Sequence, residues 1–286
     1  MCVKLRKDMV FMQGSDKRKI IDDILDDCSL TLHEYCRFDA LSDSLLPCRA
    51  ASSLDSGFSP SSPPKTVIAV LFPYRFNDRP GNLSHYARVP DYHTAAGNAL
   101  KRAAQALTCA LPEHGFVSFI DNSPIPEVLA AALAGLGCVG DHGLLINPIY
   151  GSWVFIGTIV TDLDLAPHRQ TVKSCSHCGV CTSSCPGSCI GDSRETCVSK
   201  ISQTKGVLSL EQQAILKKSK MAWGCDRCQE VCPMNVDALI DPHPCFEGVL
   251  FEPSLQSKHL TDLRGKAYGW RGAEVLKRNL KLIDEL

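Results

Sequence analysis

The segment from Cys175 to Pro186, CSHCGVCTSSCP, spaces four thiols as Cys175-x2-Cys178-x2-Cys181-x3-Cys185, with Pro186 next. Soft thiolates at this spacing hold iron–sulfur cubes. Three close together grip three corners of one 4Fe–4S cluster, and the fourth, turned away by the following proline, reaches a second. Structural zinc sites pair two Cys-x2-Cys knuckles across a longer gap and do not need this compact set. A second run, Cys225-x2-Cys228-x3-Cys232 before Pro233, lacks one cysteine of the full pattern. If Cys232 crosses over, the first cluster takes Cys175, Cys178, Cys181 and Cys232. The second then takes Cys185, Cys225 and Cys228 and needs one more thiolate, from Cys189, Cys197 or Cys245. Cys189 follows Cys185 by only four residues, where two-cluster ferredoxins usually place a small buried residue, and Cys245 lies past a Pro-His-Pro turn. Cys197 is the preferred fourth ligand.

Cluster ligands must be reduced, so the sixteen cysteines of this 286-residue chain point to a cytoplasmic setting rather than a disulfide scaffold. Cys2, Cys28, Cys36, Cys48, Cys109, Cys138, Cys189 and Cys245 read as small buried residues or idle thiols. A formal net charge of −1 favours neither nucleic acid nor an anionic membrane. The N-terminus MCVKLRKDMVFMQG has no signal-peptide core, no apolar run spans a bilayer, and the terminal IDEL reads as a helix end.

The elements that must position the thiols divide the chain into a variable segment over 1–60, an α/β domain over 61–172, a ferredoxin-like domain over 173–240 and a helical tail over 241–286. Residues 17–32 have helical spacing, and the Ser- and Pro-rich SSLDSGFSPSSPPK that begins at Ser52 reads as a mobile loop. TVIAVLFPY, from Thr66, is a continuous apolar run suited to a strand covered on both faces. Tyr92 to Leu111 is an Ala-rich helix that stops at Pro112, and Gly115 to Ile120 is a strand. Ser123 and Pro124 read as an N-cap and first-turn proline of a helix ending at Gly137. LLINPIYGSWVFIGTIVTDLDL reads as two strands around a turn. Ser209 with Gln212 forms a capping box, and the tail from Thr261 to Leu286 is helical with Val275, Leu276, Leu280 and Ile283 inward.

Clusters pass single electrons, so substrate chemistry calls for a further cofactor. No G-x-G-x-x-G follows the first strand, which leaves a dinucleotide crevice without support. Asp91-Tyr92-His93 departs from the Asp-x-His-x-x-Gly cobalt-ligand signature at Ala96, and Asp91 reads as a helix cap. Asp121 stands between a strand end and a helix start, where a carboxylic acid can meet a ligand; the plain alternative is a turn aspartate. The glycine-rich GLGCVGD, Gly135 to Asp141, reads either as a close-approach loop or as a helix C-cap and turn.

From Thr66 onward the chain resembles the epoxyqueuosine reductases, relatives of the corrinoid reductive dehalogenases. The likeness is carried by DYH (Asp91–His93), IDNSPIPEVLAAALAGLG (Ile120–Gly137), LLINPIYGSWVFIGTIVTDLDL (Leu144–Leu165), both cysteine runs with GCDRCQEVCPMN (Gly224–Asn235), and LRGKAYGWRGAEVLKRNL (Leu263–Leu280). The resemblance implies an α+β protein with a nitroreductase-like cobalamin-binding domain beside two 4Fe–4S clusters. It implies that Asp121 is the proton donor, that Cys197 completes the second cluster, and that backbone at Leu145 and Ile156, with Ser199, Cys225 and Asp226, contacts the corrin. It further implies a reductase that turns epoxyqueuosine into queuosine in tRNA, fed by a flavodoxin- or ferredoxin-like donor, with no membrane partner.

Three departures accompany the likeness. Gly137-Cys138-Val139-Gly140-Asp141 stands where the family reads Gly-Trp-Ile-Gly-Lys, the loop between Cys197 and Gly206 is one residue shorter, and the sequence stops at Leu286 where family members continue into RNA-gripping helical repeats. These leave room for another small or protein-bound substrate on the same machinery. An electron carrier without a substrate site is the competing class, against which the long α/β half argues.

Overall fold

The computed structural model describes residues 14–167, 171–248 and 250–284. Its strands are β1 His33–Arg37, β2 Thr66–Pro73, β3 Phe116–Ile120, β4 Cys138–Val139, β5 Leu145–Ile146, β6 Val154–Thr161 and β7 Lys173–Ser174. Its α-helices are α1 Gly14–Asp27, α2 Ala51–Gly57, α3 Tyr92–Ala110, α4 Glu127–Leu133, α5 Val180–Ser184, α6 Val198–Gln203, α7 Leu210–Ser219, α8 Arg227–Glu230 and α9 Ala273–Asp284. The class is α+β, as the sequence leads one to expect. Two compact units emerge: Met1–Phe72 with Ala95–Cys138 and Phe155–Lys173, and Pro73–Thr94 with Val139–Val154 and Ser174–Leu286.

The first unit is built on a sheet of order β1-β2-β6-β3. Every residue of β2 is buried, the state its unbroken apolar run requires. β1 runs antiparallel to β2 with Tyr35 opposite Ile68, and β3 antiparallel to β6 with Ser118 opposite Ile159. Residues 33–37 of the supposed variable segment are therefore part of this sheet. Asp121 follows β3, which is antiparallel to β6, so it does not stand in the crevice that parallel strands form at their carboxyl ends. Gly157 of β6 has no room for a side chain, because a Cβ there would strike Leu100 of α3. Cys36, Leu41, Leu54, Val67, Phe119, Ile125, Ala130 and Val160 form one core cluster.

Several helices differ from their expected bounds. α1 ends at Asp27, where Leu30 N–H returns to Leu25 O and Ser29 adopts φ 64°, a left-handed helix end. The Ser-rich stretch expected to be a loop forms α2, which buries Leu54. α4 starts at Glu127 because Ile125 precedes Pro126, and a residue before proline is pushed out of the helical region. Ser123 still caps locally, its Oγ accepting Ile125 N–H at 3.1 Å. The tail helix begins only at Ala273, after turns with positive φ at Gly265 and Gly272. The readings of residues 1–13, including Cys2, and of the last two residues of IDEL lie outside the described residues. No described helix is long and apolar enough to cross a membrane.

A carboxylate lock closes the first unit. Buried Asp162 accepts Ser62 Oγ–H, His114 Nδ1 at 3.2 Å and Gly115 N–H at 3.1 Å. Burial alone would raise its pKa, but these hydrogen bonds outweigh it and hold the carboxyl below its usual value. A depressed folded-state pKa stabilises the fold above the usual carboxylate value, and that stabilisation is lost as pH falls through the depressed one. Asp162→Ala is expected to weaken this unit by about 1–3 kcal/mol at pH 7. The deficit should shrink in acid, read by amide hydrogen exchange across β3 and β6.

The second unit packs α6, α7 and α9 around Trp223, with Leu83, Ile201, Leu216, Leu276 and Leu280 in the same core. Val275, Leu276, Leu280 and Ile283 are buried along α9, on the face read from the sequence. The Ser209–Gln212 capping box is present on α7. Asn279, fully buried, donates to Ser202 O at 2.7 Å and Ala222 O at 2.8 Å, tying α9 to the segment before the second cysteine run.

Candidate metal centres and catalytic residues

The cysteines of the second unit fall into two groups. Cys175, Cys178, Cys181 and Cys232 line one cavity together with Gly140, Asp141, His142, Ile146, Pro233 and Met234. Cys232 thus joins the first run, three residues of which lie far from it in sequence. Cys225 and Cys228 form the other group, and the charges of Cys185 and Cys197 act on both of them. Cys245 N–H donates to His243 Nδ1 at 3.1 Å.

Local backbone conformation sets these positions. Gly179, at φ 74°, precedes α5, which carries Cys181. After Cys185 the chain turns sharply at Ser188, φ 49°, so that backbone N–H groups of Cys189, Gly187 and Ser188 converge on the Cys185 sulfur. Burial pushes the Cys185 thiol up, yet these donors and the Cys189 thiol outweigh it and the net shift is downward. Burial pushes Cys225 and Cys228 up to about 12 and Cys232 upward. Metal ligation at such thiols must release protons, which makes loading of the site pH-dependent. Cys189 Sγ lies 3.5 Å from Cys185 Sγ and also bonds to Cys197, so the second group has a fifth sulfur at its edge.

Polar residues that spacing did not single out tie the second run down. Gln229 Nε2 donates to Ser152 O at 2.8 Å, to Ser152 Oγ at 3.1 Å and to Tyr74 OH at 3.2 Å. Asn235 Nδ2 donates to Ser152 Oγ and to Gln229 O, both at 2.8 Å, and its Oδ1 accepts Ser152 N–H at 2.9 Å. All three side chains are buried. Their only sequence signal was position, within GCDRCQEVCPMN and the turn before β6.

Asp226, buried beside Cys225, accepts Ser84 Oγ–H at 2.5 Å and His85 N–H at 2.7 Å, and burial raises its pKa to about 6. Asp141 holds His177 Nδ1 at 2.6 Å, so the acidic residue standing where the family has lysine is paired with a histidine inside the first cysteine run. Leu145 is buried on β5, and Ser199, half-buried on α6, accepts Gln203 Nε2 at 3.3 Å. Asp91 Oδ1 accepts His93 N–H at 3.1 Å, the cap read above.

In the first unit, Asp121 is exposed at the end of β3 with φ 59°, a left-handed conformation that Asp tolerates better than most residues. Its N–H donates to Glu127 Oε1 at 2.9 Å and its carbonyl accepts Ser123 N–H at 2.9 Å. Strained backbone of this kind concentrates at functional sites. Ile156 is buried on β6 of the same unit.

Residues 174–235 match the 4Fe-4S double cluster binding domain family, which makes this a two-cluster iron–sulfur protein. A curated epoxyqueuosine reductase of Lactococcus garvieae is 31% identical over 241 residues, covering 76% of this chain and 67% of its own length. The chain belongs to the epoxyqueuosine reductase family, a family named for an oxidoreductase activity. It spans 61–67% of the length of the first curated relatives it matches. Among solved structures, an epoxyqueuosine reductase with a tRNA-Tyr epoxyqueuosine-modified stem loop shares the fold at TM-score 0.76 and 21% identity, covering 95% of this chain and 81% of that one. The Bacillus subtilis epoxyqueuosine reductase, described with its catalytic aspartate loop swung out of the active site, has TM-score 0.74 at 20% identity, covering 95% and 82%.

Proposed function

We propose that this protein is a cobalamin-dependent reductase of the epoxyqueuosine reductase type, acting on epoxyqueuosine in tRNA with electrons relayed through two 4Fe–4S clusters. The observation that carries the reading is the gathering of Cys175, Cys178, Cys181 and Cys232 around one cavity in a chain of this family; Cys185 and Cys197 are assigned with Cys225 and Cys228 to the second cluster. Each set has the four soft ligands that a 4Fe–4S cube needs.

Bound cobalamin would supply low-valent cobalt as the immediate reductant of the electrophilic carbon. The protein's part is to hold, to exclude water and to deliver protons. Removing an epoxide oxygen as water takes two electrons and two protons. Asp121 is assigned the first of the two protons that go to the departing oxygen, because an alkoxide is a poor leaving group, and the second is assigned to solvent; the named catalytic aspartate loop of the Bacillus subtilis neighbour supports that role. Backbone at Leu145 and Ile156, with Ser199, Cys225 and Asp226, is assigned to the corrin. The electrons come from an external flavodoxin- or ferredoxin-like donor.

For tRNA the support is the family and the stem-loop complex of the structural neighbour. The basic tail adds little. Arg278 donates to Thr204 O and Gly206 O, both at 2.7 Å, Arg264 pairs with Asp262 at 2.8 Å, and Lys266 lies 5.5 Å from the Phe251 ring. Anaerobic protein given cobalamin, a reductant and epoxyqueuosine-containing tRNA should lose one oxygen from the modified nucleoside, followed by mass spectrometry. Cobalamin uptake with unchanged tRNA would point to another substrate. No uptake by protein with intact iron centres would remove the reductase reading and leave an electron carrier.

The second set also predicts a distinction between two neighbouring thiols. Cys197→Ala is expected to lose the second cluster, taking iron from about eight per chain to about four, whereas Cys189→Ala keeps about eight. Iron and sulfide analysis after anaerobic purification decides, and the reverse pattern would make Cys189 the ligand.

A further inference from the structure

His142, in the tight connection between β4 and β5, has no task in the reading above. It is 6% exposed and lines the cavity formed by Cys175, Cys178, Cys181 and Cys232. Its surroundings fix the ring. Leu144 N–H donates to Nδ1 at 3.1 Å, and Arg194 donates to the His142 carbonyl at 3.3 Å. Gly140 leaves the space the ring occupies, since a Cβ there would come within 2.9 Å of both ring nitrogens. The connection itself is closed by Gly140 N–H to Leu144 O at 2.9 Å and Gly143 N–H to Gly140 O at 2.8 Å.

A ring nitrogen that accepts an N–H offers a lone pair, so Nδ1 is unprotonated and the proton of the neutral ring sits on Nε2. That nitrogen is buried and has no hydrogen-bond partner. Buried donors are almost always satisfied, and an exception calls for an acceptor that the protein atoms do not supply. A 4Fe–4S cube held by these four cysteines would bring electron-rich sulfurs into the same cavity.

We propose that His142 donates a hydrogen bond from Nε2 to a sulfur of the first cluster or of its ligating cysteines, and thereby raises that cluster's reduction potential. The proposal rests on the cluster assignment made above and adds a residue to it. A donor to cluster sulfur favours the reduced cube, which carries one more negative charge, and hydrogen bonds to the sulfurs are among the recognised determinants of cluster potential. His142 is thus a positioning and tuning residue. It touches the electron path and not the substrate.

The test uses the full-length protein with both clusters assembled. Protein grown with 15N-histidine and reduced anaerobically should show a nitrogen hyperfine coupling by pulsed EPR that is lost in His142→Phe; comparison with that variant separates it from His177, which lies in the same cysteine run. In a potentiometric titration, His142→Phe should lower the reduced-to-oxidised ratio of the first cluster about threefold to tenfold at a fixed ambient potential, tenfold being about 59 mV for one electron. His142→Gln, which retains an N–H donor, should recover part of that shift. A wild-type protein with about eight irons but no histidine coupling would overturn the proposal, as would an unshifted potential in His142→Phe. Wild-type protein that fails to hold about eight irons would instead overturn the cluster assignment beneath it.

Discussion

Asp121→Asn is expected to abolish turnover while leaving iron content and cobalamin uptake at wild-type levels. Asparagine has nearly the same shape as aspartate and shares its tolerance of the left-handed region, so φ 59° at this position does not penalise the exchange. The two local hydrogen bonds that shape the turn use only the main chain of residue 121. They are its N–H to Glu127 Oε1 and its carbonyl from Ser123 N–H. Both survive the substitution, which removes the carboxyl group and with it the acidic proton. A positioned general acid contributes about 10²- to 10⁴-fold, so the loss should fall on the chemical step by at least that range. Single-turnover rates with the cofactor pre-reduced would isolate this step from electron delivery. Retained turnover would remove the acid role from Asp121. Glu127→Gln gives the matching control, since its amide oxygen can still accept the Asp121 N–H and any loss there would report a direct role of the Glu127 carboxyl.

Cys232→Ala is expected to lose the first cluster and not the second, although Cys232 belongs to the second run in sequence. Its partners in the cavity are Cys175, Cys178 and Cys181, and the charges of those three residues act on its thiol. Iron should fall from about eight per chain to about four. Cys178→Ala should give the same deficit, and the double variant should be no worse than either single one, because residues that act as one unit do not add. Electron transfer from the external donor should drop to background in all three. If Cys232→Ala instead depletes the cluster that Cys225→Ala depletes, the crossing arrangement is wrong. The Ser152–Gln229–Asn235 network gives a reason to expect an intact fold in these variants: it anchors the second run through buried hydrogen bonds independent of the thiols.

What the sequence determined by itself is the chemistry that depends on short spacing. The x2-x2-x3 intervals of the first run set which thiols can sit at corners of one cube, because a chain of so few residues has limited reach. The unbroken apolar run of β2, the Ala-rich α3, the capping box of α7 and the inward face of α9 are likewise local patterns, and the structure has each of them. Local reading failed where competing local rules met. Ser123 and Pro124 advertised a helix start, but Pro126 displaced it to Glu127. Serines that favour loops gave way in α2 to a helix that buries Leu54.

Tertiary structure alone decided the associations across long stretches of chain. It placed β3 antiparallel to β6 and set Asp121 at the end of that strand in a left-handed backbone conformation. It paired Asp141 with His177, brought Ser152 to Gln229 and Asn235, and aligned His142 with the first cysteine set. The physical reason is common to them all. A hydrogen bond or a shared cavity between residues dozens of positions apart exists only after the intervening chain has been folded and its entropy lost, and no periodicity or spacing in the residues themselves encodes which distant partner will arrive.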